Sequence, residues 1–317
     1  MMRAMVTGLS RRFFSRFFLL GVTAVACSAP QRAPEPPSPA PVEPVIRLLV
    51  RGDDMAAAHG INIGHIEAYQ NGIMRSAEVI VPGPWLPETL KLLKENPGID
   101  VGIHLALTSE WTNVKWRPLT AAPSIVDEDG YFFPMVWAND NYPKSKALRE
   151  AKFDLKEIEA ELRAQIELLK RHIPSLSHGG CHMGCGSADP EVQAIIDRLL
   201  VEYGIARDTS GLKRIPIEWP KDKDARTALT GEQRAELFAR AIDALTPGDY
   251  LFVEHPATDD PEMRAIHHIG YENVAVDRSG VVSMWTDPRV KEAVARRKVQ
   301  LISYKDLPLL RAQAASP

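Results

Sequence analysis

From residue 46 onward, short apolar runs alternate with stretches whose apolar residues recur at helical spacing. That alternation narrows the fold more than any other feature of the chain. "IRLLV" (46–50), "AEVIV" (77–81), "DVGIHLAL" (100–107), "DYLFVEHP" (249–256) and "VQLIS" (299–303) read as strands. Helices are expected over 61–72, stopped at Asn71-Gly72, and over 87–96, closed by Pro97-Gly98. Further helices are expected over 152–172, 189–204, 231–245, and near 260–269 and 287–297. Asp189 before Pro190 supplies an N-cap and a first helical residue. Repeated strand–helix units imply one α/β domain, a mostly parallel sheet with helices outside, open or barrel-shaped. Functional side chains in such sheets gather at the carboxyl ends of the strands.

That filter selects a small group. Asp53 and Asp54 follow the first strand, His104 lies late in the third, and His255 ends the "DYLFVE" strand. His178 and His182 lie in "SHGGCHMGC" (177–185). Two adjacent carboxylates at a strand end repel each other unless a lysine, an arginine or a metal ion sits beside them. A carboxylate with two imidazoles suits a divalent ion and leaves positions open for water and substrate. One aspartate can then bind the ion while its neighbour takes a proton. Zinc and magnesium both suit such a set.

The chain ahead of this unit is of another kind. Arg11, Arg12 and Arg16 precede an apolar run from Phe17 to Ala26, too short to span a bilayer comfortably. The run closes on Ala24-Val25-Ala26-Cys27, which resembles a lipobox, so 1–27 reads as an export signal with Cys27 as the lipidated residue. Ser10-Arg11-Arg12-Phe13-Phe14 also resembles a twin-arginine motif. Residues 28–45 carry seven prolines and read as a semi-rigid spacer ahead of a folded unit at 46–317. The expected setting is a bacterial cell envelope, with membrane contact through the anchor. A net charge of −3 gives no basic footprint for nucleic acid. Beyond Cys27 only Cys181 and Cys185 remain, a local disulfide or two small buried thiols rather than a zinc pair.

Several segments resemble the YdjC-like carbohydrate deacetylases: "RLLVRGDDMAAAHGINIGHIEAYQNGIMRSAEVIVPGPW", "NPGIDVGIHLALTSEW", "SLSHGGCHMG", "DEDGYFFP", "EHPATDD" and "LISYKDL". Similarity runs in order through most of 46–307. The resemblance implies an irregular (β/α) barrel of the polysaccharide deacetylase type that removes acetyl groups from N-acetylated amino sugars with a divalent metal. It assigns Asp54, His104 and His182 to the ion and Asp53 to the general base. His255 matches a histidine of a His-Pro segment and is the candidate proton donor. Two departures stand out. Relatives often carry an aspartate where this chain has Gly180, and Met55 and Ala56 replace a bulky residue and a glycine.

The aromatic stretch 110–137 suggests a sugar-binding loop, with Trp111, Trp116 and Arg117 as candidate contacts. Two rival readings stand beside the deacetylase. One is a surface lipoprotein that keeps the metal and sugar cleft without efficient catalysis, a reading kept alive by Gly180. The other is a glycoside hydrolase using Asp53 and Asp54, which strand alternation disfavours because adjacent side chains point to opposite faces.

Overall fold

The computed structural model describes residues 45–206 and 212–308. The expected signal, Cys27 and nearly all of the proline-rich spacer lie outside the described residues. In chain order the elements begin β1 (Ile46–Met55), α1 (His59–Gln70), β2 (Ser76–Val79), α2 (Leu86–Glu95) and β3 (Asp100–Leu105). A long connection leads to α3 (Leu155–His172), β4 (Gly179–Cys181), α4 (Pro190–Glu202), β5 (Lys213–Arg214) and α5 (Lys223–Thr227). The chain continues through α6 (Gly231–Asp243), β6 (Gly248–Glu254), α7 (Pro261–Ala265), α8 (Val274–Thr286), α9 (Pro288–Arg296) and β7 (Gln300–Ile302).

All strand pairs are parallel, and the sheet runs β4-β3-β2-β1-β6-β5. One edge of β1 is shared: β7 pairs with Arg47–Leu49 and β2 with the stretch from Arg51 to Met55. The sheet curls into a half-barrel, as expected of the fold class. β1 is buried on both faces, as a central parallel strand must be. Leu48 and Val50 enter the main core, while Leu49 packs with Leu251, Ile302, Tyr304 and Leu307.

Helix starts follow local chemistry. Asp189, Asp260 and Asp287 each stand before a proline and accept a backbone N–H of the first turn of α4, α7 and α9. Thr230 and Gln233 form a reciprocal capping box at α6. The sequence pattern misses α8. Its residues "VAVDRSGVVSMWT" are rich in valine and carry Gly280, and Val274, Ala275, Val281, Met284 and Trp285 are all buried. A helix covered on most sides shows no amphipathic stripe. Phe252 of β6 stacks on Phe238 of α6 with ring centres 4.5 Å apart, and Trp285 meets it edge-on at 6.2 Å. Among the described residues no helix is long and apolar enough to cross a membrane.

Candidate metal centre

The carboxyl ends of β1, β2, β3 and β4 stand side by side and deliver Asp53 and Asp54, Glu78, His104 and, directly after β4, His182. The sequence reading ended β1 at residue 50, but the strand continues to Met55 and carries both aspartates. Strand alternation should send Asp53 and Asp54 to opposite faces. It does not, because the pairing of β1 with β2 slips between Gly52 and Met55 and Asp54 takes φ of 75°. Left-handed backbone at a non-glycine residue costs about 1–3 kcal/mol and persists only where the surroundings enforce it. Here they do. Ala56, also left-handed at φ 83°, donates its N–H to Asn62 Oδ1 at 2.8 Å, and its carbonyl accepts from Trp85 N–H at 3.0 Å. The bulge brings Asp53 Oδ2 to 4.0 Å and Asp54 Oδ1 to 3.4 Å from His104 Nε2. This corrects the expectation that the neighbours diverge.

His182 opens a short 3₁₀ turn (His182–Ala188) directly after β4. Its Nδ1 lies 3.1 Å from Asp54 Oδ1, and its ring meets that of His104 at 71° with centres 5.3 Å apart. Cys181 and Cys185 are bridged and close the loop that carries it. Asp54, His104 and His182, each buried, each offer a ligand atom within 4.8 Å of the others. The sequence reading chose this triad, and the structure brings it together.

Three charged partners went unnoticed in the sequence. Glu78 of β2 accepts from His104 Nδ1 at 2.5 Å, and Glu110, in the loop after β3, accepts from His182 Nε2 at 2.8 Å. Each imidazole is thus held by a carboxylate on one nitrogen while its other nitrogen faces Asp54, the arrangement that prepares a histidine to bind a metal. Arg278 of α8 donates to Asp54 Oδ2 at 2.8 Å, leaving Oδ1 toward the histidines. A charged residue in an apolar parallel strand was the one available signal for Glu78. For Glu110 and Arg278 the sequence offered none.

Arg51 completes the set. Its guanidinium donates to both oxygens of Asp53, at 2.7 and 3.0 Å, and lies 2.9 Å from Glu78 Oε1. Burial would raise the Asp53 carboxyl, but Arg51 first and His104 second hold it down at about 2. Asp54 is held well below the usual carboxylate range, against its burial, by Arg278 and His182. Burial would lower His182, yet Glu110 and Asp54 hold it up to about 10.

Asp53, Glu78 and His104 form a second group of candidate ligands. There Arg51 engages both oxygens of Asp53 and one of Glu78, whereas Arg278 leaves Asp54 Oδ1 turned to the histidines, so the Asp54 triad is the better site. Taken together, among the described residues the buried carboxylates of Asp53, Asp54, Glu78 and Glu110 outnumber the two guanidinium groups paired with them, Arg51 and Arg278. The excess of negative charge leaves room for a divalent cation. Without one, His182 answers it by keeping a proton. The donor set therefore fits a metal of borderline character.

The other candidates fall in different places. His255 follows β6, partly exposed, and Asp54 raises its pKa against the effect of burial. His178 stacks on Tyr304 at 3.8 Å behind the site, a supporting position outside the triad. Trp111 and Trp116 are buried, which corrects their expected role as stacking faces. Arg278 lies over the Trp111 ring at 5.0 Å, and Trp116 meets His182 edge-on at 5.8 Å. They wall the centre rather than receive a sugar. Arg117 sits over Tyr131 at 4.1 Å and donates to the Asp129 carbonyl, partners that lie outside the triad. A groove of about 770 Å³ lined by Leu90, Pro97, Ile99 and Val101 lies at the amino end of β3, away from the triad.

Residues 47–296 match the profile of a family described as YdjC-like protein. Carbohydrate deacetylase 2 of Listeria innocua serovar 6a is 24% identical over 267 residues, spanning 83% of this chain and 99% of that protein. A crystal structure from Enterococcus faecalis V583, of a protein assigned to cellobiose-phosphate cleavage, aligns with TM-score 0.62 at 20% identity. It covers 83% of this chain and 99% of that one, a likeness of fold. A polysaccharide deacetylase from Bacillus cereus aligns at TM-score 0.42 and 12% identity, over 82% of this chain and 92% of that one, too distant to carry an argument.

Proposed function

The chain belongs to the YdjC-like protein family, and from that premise we propose that it is a divalent-metal-dependent deacetylase of N-acetylated amino sugars or glycans. The observation that carries the reading is the buried triad of Asp54, His104 and His182, each histidine backed by its own carboxylate. The named activity of the Listeria relative, which this chain matches over nearly that protein's whole length, supports the substrate class. Asp54, His104 and His182 would hold the ion. When bound there, it supplies Lewis acidity toward the amide carbonyl and acidifies a water.

The remaining work falls to this chain's own side chains. Asp53 takes the proton of the attacking water. Its fork with Arg51 fixes both oxygens and keeps the carboxylate ionised across the neutral range, at some cost in basicity. Arg278 holds Asp54 from behind, so that one oxygen stays turned to the histidines. His255, partly exposed and with a raised pKa, donates the proton that lets the amine leave. As the new C–O bond forms and the C–N bond breaks, acetate and the free amine result. A placed acid or base of this kind contributes about 10²–10⁴-fold in rate. The signal-like 1–27 segment and the proline-rich spacer support an exported, lipid-anchored form acting on envelope or extracellular glycans.

The test is acetate release from a panel of N-acetylated sugars and glycans by metal-loaded protein, chelated protein and Asp53→Asn. Acetate that requires both metal and Asp53 is the expected result. Release that persists in chelator sinks the metal-dependent reading, and release by Asp53→Asn at the parent rate removes Asp53 as the base.

A further inference from the structure

We propose that Glu78 is a positioning residue for His104, and that Gly180 is the vacancy that admits its carboxylate. The role rests on the metal-centre reading above and concerns how this chain, in particular, holds its first histidine ligand.

The geometry is specific. β3 lies between β2 and β4, with Glu78 opposite Gly102 on one side and His104 opposite Gly180 on the other. Glu78 is fully buried, and its carboxylate reaches across the sheet surface to His104 Nδ1 at 2.5 Å. Its second oxygen lies 2.9 Å from Arg51 Nη1. A Cβ on Gly180 would stand 2.3 Å from Glu78 Oε2 and 2.7 Å from Oε1, closer than real side chains approach. The carboxylate thus fills the space above residue 180, and a side chain there would have to displace it from His104 Nδ1.

The chemistry assigns the role. A carboxylate on Nδ1 requires that nitrogen to carry a proton, so Nε2 is the ring atom turned toward Asp54 Oδ1, 3.4 Å away, and free to serve as the ligand atom. Burying an acid in a strand is costly unless it is paired. Arg51 alone would satisfy the charge, but it would not place an oxygen on the imidazole.

The experiment compares the full-length parent with E78A, G180D and E78A/G180D. Three readouts are taken: Zn²⁺ affinity by chelator competition, ¹⁵N shifts of the His104 ring in metal-free protein, and thermal midpoint. E78A should bind Zn²⁺ about 10–100-fold more weakly and lose the Nδ1-protonated ring signature. G180D alone should also bind more weakly, since its side chain meets the Glu78 carboxylate. The double variant should regain both the ring signature and most of the affinity. Affinity and ring shifts unchanged in E78A would overturn the proposal. So would a double variant that regains thermal stability without either. If E78A does not fold, E78Q decides: it keeps an acceptor oxygen, so the ring signature should persist while affinity falls, and unchanged affinity overturns the role. Should the parent take up no Zn²⁺, the metal-centre reading fails. The ring shifts then still decide whether Glu78 fixes His104.

Discussion

Replacing Arg51 with methionine should unbalance the centre in a way that can be measured twice. Arg51 forks Asp53 at 2.7 and 3.0 Å, stands 2.9 Å from Glu78 and donates to the Tyr304 hydroxyl at 2.9 Å. Its removal leaves two buried carboxylates without a guanidinium. Breaking a buried charge pair from one side costs about 3–5 kcal/mol, mostly for the charge left behind. For a unit of the size of Val42–Pro317 the unfolding entropy is on the order of 0.6 kcal/mol per kelvin, so the midpoint should fall by roughly 5–9 °C. The assay is urea and thermal unfolding of metal-free protein, with an unchanged urea slope as the sign that only stability moved. The second readout is the acid limb of the deacetylation profile. Arg51 is the largest influence holding Asp53 at about 2, so without it the carboxyl titrates higher and the limb moves to higher pH. Arg51→Lys should fall between, since an ammonium cannot fork Asp53 and reach Glu78 together. A loss below about 1 kcal/mol with an unmoved acid limb would refute the reasoning, because it would mean the two carboxylates were never held by this group.

Glu110→Gln removes the charge behind His182 and should weaken divalent-metal affinity about 10–100-fold with little loss of fold, read by chelator competition. In metal-free protein, His182 is raised to about 10 from its ordinary 6.5. Its contribution to stability is therefore complete below about pH 6.5 and is lost as pH climbs toward 10, which a pH series of urea midpoints would follow. The same proton must leave when metal binds, so affinity should rise by up to about tenfold per pH unit in that window, with proton release seen calorimetrically in buffers of differing ionisation heat. Reducing the Cys181–Cys185 bridge opens a very short loop, for which chain entropy predicts a loss of about 2 kcal/mol. A urea midpoint unchanged by dithiothreitol would count against that figure.

The sequence by itself determined the class of fold, a mostly parallel sheet with helices outside, because each signal was local. Period-2 and period-3.6 patterning placed most strands and helices, Asp189-Pro190 marked the start of α4, and the carboxyl-end rule singled out Asp53, Asp54 and His104, with His182 added from its segment. α8 escaped because a helix covered on most sides by α1, α6 and α9 leaves no polar stripe to read, and Arg278 escaped with it. What only the tertiary structure decided is how these residues meet. Asp53 and Asp54 share one centre through a strained turn at Asp54 that strand alternation forbids and that the packing of Ala56 against Asn62 and Trp85 imposes. Glu78 lies 26 residues from His104 in the chain, Glu110 72 from His182, and Arg278 224 from Asp54. Nothing local links such pairs. Burial gives them their meaning: in water these charges would be solvated and independent, but in the closed end of the sheet each must find its counterpart, and only the folded chain brings the counterparts within reach.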